Sequence, residues 1–89
     1  LNTLLIAFDP QRLRSRTLRA MIENSFPDCW HRLEGAYIVS TALAATQLRD
    51  MLKLSLADTD ELLVVTLQAS GWAWTGNSAD GVDWLRHHA

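Results

Sequence analysis

Among the residues able to carry chemistry, Asp9 has the most suggestive setting: it ends the apolar run Asn2 to Phe8 and is followed at once by Pro10. A carboxylate at a strand end can hold a divalent cation through oxygen ligands. Asp9 side chains from two copies of the chain could share one Mg2+ or Mn2+ for phosphodiester chemistry, which makes Asp9 the candidate catalytic and metal-binding residue. The same carboxylate can instead accept backbone amide hydrogens and cap the helix that follows, the commoner role at such a boundary. Arg14 could neutralise a phosphate beside Asp9, but pairing with the Asp9 carboxylate is the favoured expectation. Arg12, Arg16 and Arg19 recur at helical spacing and could touch phosphate oxygens, which need positive donors and no base sequence. Glu23 continues that side and lowers its potential, so a solvated surface is the expected reading.

The aromatic residues raise a second chemistry. Trp30, Trp72, Trp74 and Trp84 could stack on exposed bases. Tryptophan also fills cores and interfaces, and three of the four lie after residue 70, so packing is expected, with Trp72 and Trp74 at an interface. His31 has no histidine or cysteine at ligand spacing, and a core or interface hydrogen bond is its expected role. His87 and His88 offer only adventitious metal binding near the end of the sequence. Cys29 has no activating partner in view and reads as a structural thiol. Ser40, Thr41 and Ser70 form no hydrolase elbow, and Gly71, Gly76 and Gly81 form no phosphate-binding loop.

Composition limits these readings further. With 89 residues the chain has room for one compact core and no separate catalytic domain. A core this small leaves stability marginal, so a partner is expected to contribute. Almost half of the residues, 48%, are apolar, which argues for a folded globule over a disordered chain. The formal charge of -2 gives nucleic acid no global attraction, and weak or no nucleic-acid binding follows. One cysteine permits neither an internal disulfide nor a thiolate metal cluster, and a cytoplasmic location is expected. No apolar run is long enough to cross a membrane and no leader pattern is seen, so neither export nor membrane association is expected.

The elements that would position these residues can be read from periodicity. Asn2 to Phe8 is apolar on both alternating faces and reads as a central strand. A helix is expected from near Pro10 through Gln11 to about Ser25, with Leu13, Thr17, Ala20 and Met21 inward, Leu18 and Ile22 at the margin, and Arg12, Arg16, Arg19 and Glu23 outward. Cys29 to Leu33 and Ala36 to Thr41 form a hairpin about Glu34-Gly35. A second helix follows from Ala44 with Ala44, Leu48, Met51, Leu52 and Ser55 on one side, and Leu54 lies outside that arc. Asp58-Thr59-Asp60 makes a turn before a strand from Glu61 to Leu67, which should lie beside the first. The result is one α/β domain over residues 1-89, a ferredoxin-like βαββαβ antiparallel sheet with two helices on one face. Residues 71-89 form a C-terminal extension, read as an extra edge strand, a loop and a short closing helix. The two-sided apolarity of the first and last strands requires cover on the other face, from this extension, a partner sheet, or both.

The opening NTLLIAFD, Trp30-His31, the AYIVST strand, ATQLRD, DELLVV and Ala73-Trp74-Thr75-Gly76 together resemble small proteins of the Cas2 and VapD-like superfamily. The similarity extends to the group of small SinR-like proteins and spans nearly the whole chain. It implies a homodimer, and it places Asp9 where members described as nucleases carry a metal-coordinating aspartate. The acidic balance here departs from the basic, nucleic-acid-binding members. Two functions follow as expectations. The first is a noncatalytic homodimeric interaction or regulatory module, with a protein partner and a link to mobile-element defence. The second is a divalent-metal-dependent nuclease acting on RNA or DNA through Asp9, with Arg12, Arg14, Arg16 and Arg19 as its nucleic-acid contacts.

Overall fold

The computed structural model describes residues 1–69, 71–76 and 79–88, Ala79 by its backbone alone. Four strands form one antiparallel sheet: β1 (Asn2–Phe8), β2 (Cys29–Leu33), β3 (Ala36–Thr41) and β4 (Leu62–Leu67), in the order β2-β3-β1-β4. Helices α1 (Ser15–Ser25) and α2 (Ala45–Leu52) connect them, and α3 (Ala79–His88) follows the sheet. This is the ferredoxin-like βαββαβ arrangement, with β4 directly beside β1 as expected.

Register fixes what each face carries, because residues opposite one another in paired strands point the same way. Ile6 stands opposite Tyr37 and Val64, while Leu5 stands opposite Ile38 and Val65. Leu4, Ile6, Tyr37 and Val39 therefore face the helices and form a fully buried core with Leu18 and Ile22 of α1 and Leu48 and Leu52 of α2. The other face carries Leu5, Trp30, Ile38 and Leu67. Trp72, Trp74, Trp84 and Leu85 of the C-terminal extension lie over it. The extension thus supplies cover for the second face. It does so without the expected edge strand, since residues 71–75 have no strand structure. Their indoles turn onto the face of the sheet, where Trp74 meets Trp30 edge-on with ring centroids 5.5 Å apart.

The first helix departs from the sequence reading. It starts at Ser15 because the chain is held in turns before it: Asp9 Oδ1 accepts the Gln11 amide at 2.9 Å, and Arg12 N–H reaches the Asp9 carbonyl at 3.4 Å. Aspartate's short side chain competes with helix geometry in this way. The late start leaves Leu13 outside the helix and 91% exposed. Thr17 and Ala20 are exposed too, and the inward stripe is Ser15, Leu18 and Ile22. The second helix keeps Leu48 and Leu52 inward, with Met51 and Ser55 half-buried, whereas Ala44 is its exposed N-cap. Gln47 Oε1 accepts the Ala44 amide at 2.8 Å, α2 closes in a 3-10 turn at Lys53–Ser55, and Leu54 is exposed there.

The β2–β3 turn is fixed by close approach. Phe8 donates its amide to the Gly35 carbonyl at 2.9 Å, and a Cβ at Gly35 would lie 2.5 Å from the Phe8 carbonyl oxygen. That separation is shorter than any real Cβ contact, so a side chain there forces the hairpin away from the end of β1. Gly35→Ala is expected to destabilise the domain by about 1 to 3 kcal/mol, the usual range for overpacking. Chemical denaturation checks this, with a lower midpoint and an unchanged slope as the expected result.

Candidate functional site

Asp9 sits at the end of β1 on the rim of a cleft of about 630 Å3, which Asp60, Glu61, Ala7 and Leu63 also line. Its carboxylate closes the local turn through Gln11; it caps this turn and not the helix, which begins six residues later. Arg14 makes no ion pair with Asp9; it occupies the N-cap position of α1. Asp60 is committed elsewhere: one oxygen accepts the Ala57 amide at 2.9 Å and the other lies 3.7 Å from Arg12 Nε. Three carboxylates thus share a cleft without converging. Among the described residues no group of three His, Cys, Asp or Glu side chains is placed to hold a metal ion.

The arginines do not form one stripe. Arg12 lies in the turn before α1 and donates to the Thr59 carbonyl at 2.9 Å, tying the entry of α1 to the α2–β4 turn. Arg16 is exposed, and Arg19 points to Tyr37, its Nε 3.5 Å from the phenol oxygen. The Tyr37 hydroxyl in turn donates to Glu23 Oε1 at 2.9 Å. Arg19 and Glu23 are therefore linked through a phenol rather than paired directly. His31 stacks on the Tyr37 ring with centroids 3.9 Å apart, and its buried Nε2 has no hydrogen-bond partner among the described residues. Burial raises the Cys29 thiol pKa, and Glu23 and Asp28 raise it further, which keeps the sulfur protonated and a poor nucleophile. These groups build a packed polar cluster and offer no activated nucleophile.

Sequence reasoning missed one feature outright and located another only as a whole sheet face. One is the Tyr37 cluster, whose signal was the placement of Tyr37 and His31 on the helix-facing side of the hairpin. The other is a strip of open sheet. Leu63 is 58% and Val65 37% exposed on β4, an edge strand, on the same face as half-buried Ala7. The indoles cover the β2–β3 side of that face and leave this strip to solvent. Alternation along ELLVVTL carried the signal, since both of its faces are apolar.

No family model matches the chain, and no curated protein matches it. Among the described residues no helix is long and apolar enough to cross a membrane.

Tyr37, the single tyrosine, gives the polar cluster a direct readout. Burial raises its pKa, as does the hydrogen bond to Glu23, while Arg19 opposes them. A folded-state value above the unfolded one contributes stability that is complete below about pH 10 and is lost as pH rises through the folded value. Phenolate absorbance should therefore rise at higher pH in the native protein than in the urea-unfolded chain. Coincident titration curves would show that the fold does not hold the phenol protonated.

Proposed function

We propose that this chain works as a homodimeric interaction module in which a second copy covers the open strip of the sheet. The observation that carries the reading is the pairing of exposed Leu63 and Val65 with an edge strand whose outer backbone groups have no partner among the described residues. Edge strands are usually blunted by charge, proline or a covering segment. Here β4 reads Leu62–Leu67 without a charged residue or a proline. Apolar surface flanked by free backbone donors and acceptors is what strand addition by another chain requires. The resemblance to Cas2 and VapD-like proteins supports the same assembly, with a protein partner docking on the finished dimer.

A second reading is a divalent-metal-dependent nuclease in which two copies bring their Asp9 carboxylates together around Mg2+ or Mn2+. It is favoured by the exposure of Asp9 and by its second carboxylate oxygen, which is uncommitted among the described residues. Against it stand the dispersal of the arginines and the carboxylate-lined cleft, both unfavourable to a polyanion.

Sedimentation velocity at micromolar concentration should give a species of twice the 10.0 kDa chain. Leu63→Glu should return it to a folded monomer, because the side chain is already exposed in the single chain, and should lose the concentration dependence of thermal unfolding that a dimer shows. A wild-type monomer at all concentrations contradicts the homodimer. Metal-dependent cleavage of RNA or DNA by the wild type, lost in Asp9→Ala, would put the nuclease first.

A further inference from the structure

One carboxylate holds two side chains of the last turn of α3. Asp28, in the turn between α1 and β2, accepts the Trp84 indole N–H on Oδ1 at 2.9 Å, and its Oδ2 lies 3.3 Å from His88 Nε2. The other ring nitrogen of His88, Nδ1, lies 2.9 Å from the Trp84 carbonyl oxygen. A carbonyl and a carboxylate can only accept, so both contacts are hydrogen bonds only when both ring nitrogens carry protons. A neutral imidazole has one N–H and must set a lone pair against one of the two oxygens. The ring also stacks on the Trp84 indole, with centroids 4.1 Å apart and planes 14° from parallel, a geometry that favours a cation. Its place in the last turn of α3 favours positive charge as well.

We propose that His88 is a proton-operated latch: as imidazolium it holds α3 on the second face of the sheet through Asp28, and loss of the proton releases the helix and uncovers the layer of Trp30 and Ile38. The groups around the ring are few. Asp28 approaches from the α1–β2 turn, and Thr3 of β1 donates its hydroxyl to the His88 carbonyl. Arg86 and His87 of α3 line the adjoining cleft and oppose the charge, whereas β4 contributes only the uncharged Thr66 and Leu67 there. Among the described residues Asp28 is the one acidic group in contact, and it must be ionised. The latch is therefore closed while both ring nitrogens carry protons and opens when one of the two is lost. It does not depend on the homodimer, since it concerns the contact of one chain's helix with that chain's own sheet.

Hydrogen exchange of the α3 amides, corrected for intrinsic base catalysis, tests this at about pH 5 and pH 8.5, which bracket the range over which imidazoles in general change charge. Protection of Trp84 to His88 should fall by about threefold to tenfold at the higher pH, a size set by a largely solvent-exposed carboxylate partner. Protection of β1 should not change. His88→Phe keeps a ring for stacking but offers no proton, and its α3 protection should be low and the same at both pH values. His87→Phe should behave as the wild type. Asp28→Asn, which retains an acceptor for Trp84, should lose the pH response independently of His88→Phe. Equal wild-type protection at both pH values, or a pH response that survives in both His88→Phe and Asp28→Asn, would overturn the latch.

Discussion

Everything in this molecule follows from a central strand that is apolar on both sides. Leu4 and Ile6 are fully buried on one face of β1, and Leu5 is half-buried on the other. A sheet built around such a strand needs two covers, and 89 residues leave little chain to make them. The helices take the first face. The second is left to three tryptophans, one leucine and ten residues of helix.

The two covers differ in strength. On the helix side, Leu18, Ile22, Leu48 and Leu52 are each fully buried, and at roughly 1.5 to 3 kcal/mol per side chain they dominate the burial energy. On the other side, α3 contributes Leu85 as its only described apolar side chain buried to that degree, with Trp84 and His88 half-buried. Two of the indoles beneath and beside it, Trp30 and Trp74, have buried N–H groups without acceptors among the described residues, which subtracts from the packing they provide. A cover so made depends on polar fastening at its end, which Asp28 supplies through Trp84 and His88. This cover also stops short of Leu63 and Val65, which stay open at the β4 edge. The latch and the open strip thus have a common origin.

How legible this was in the sequence depended on how local the signal is. Alternation in Asn2 to Phe8 and the Glu34-Gly35 turn located the strands and the hairpin, because period-two patterns and turn residues act over a few positions. The start of α1 was obscured. Leu13 falls on a helical stripe by spacing alone, and only the Asp9 side chain closing on the Gln11 amide moves it out of the helix. Asp9 was identified as a residue of interest, but the company it keeps was not, since Asp60 and Glu61 come from the far end of the chain. The Asp28–Trp84–His88 contact spans nearly 60 residues and depends on where α3 lands, which periodicity does not encode. The need for a second cover, by contrast, could be read from ELLVVTL and LLIAF without any structure.

The central claim is that the sheet has one integral cover and one separable cover. Native-state hydrogen exchange in low denaturant measures this most directly, because each amide reports the free energy of the opening that exposes it. Amides of Leu4 to Ile6 should exchange only through global unfolding, with the full denaturant dependence of the domain. Amides from Val82 to His88 should exchange through an opening of lower free energy and shallower denaturant dependence, with β1 still protected. If α3 and β1 share one free energy and one slope, the C-terminal helix is part of the single cooperative core, and the account of a separable cover is wrong.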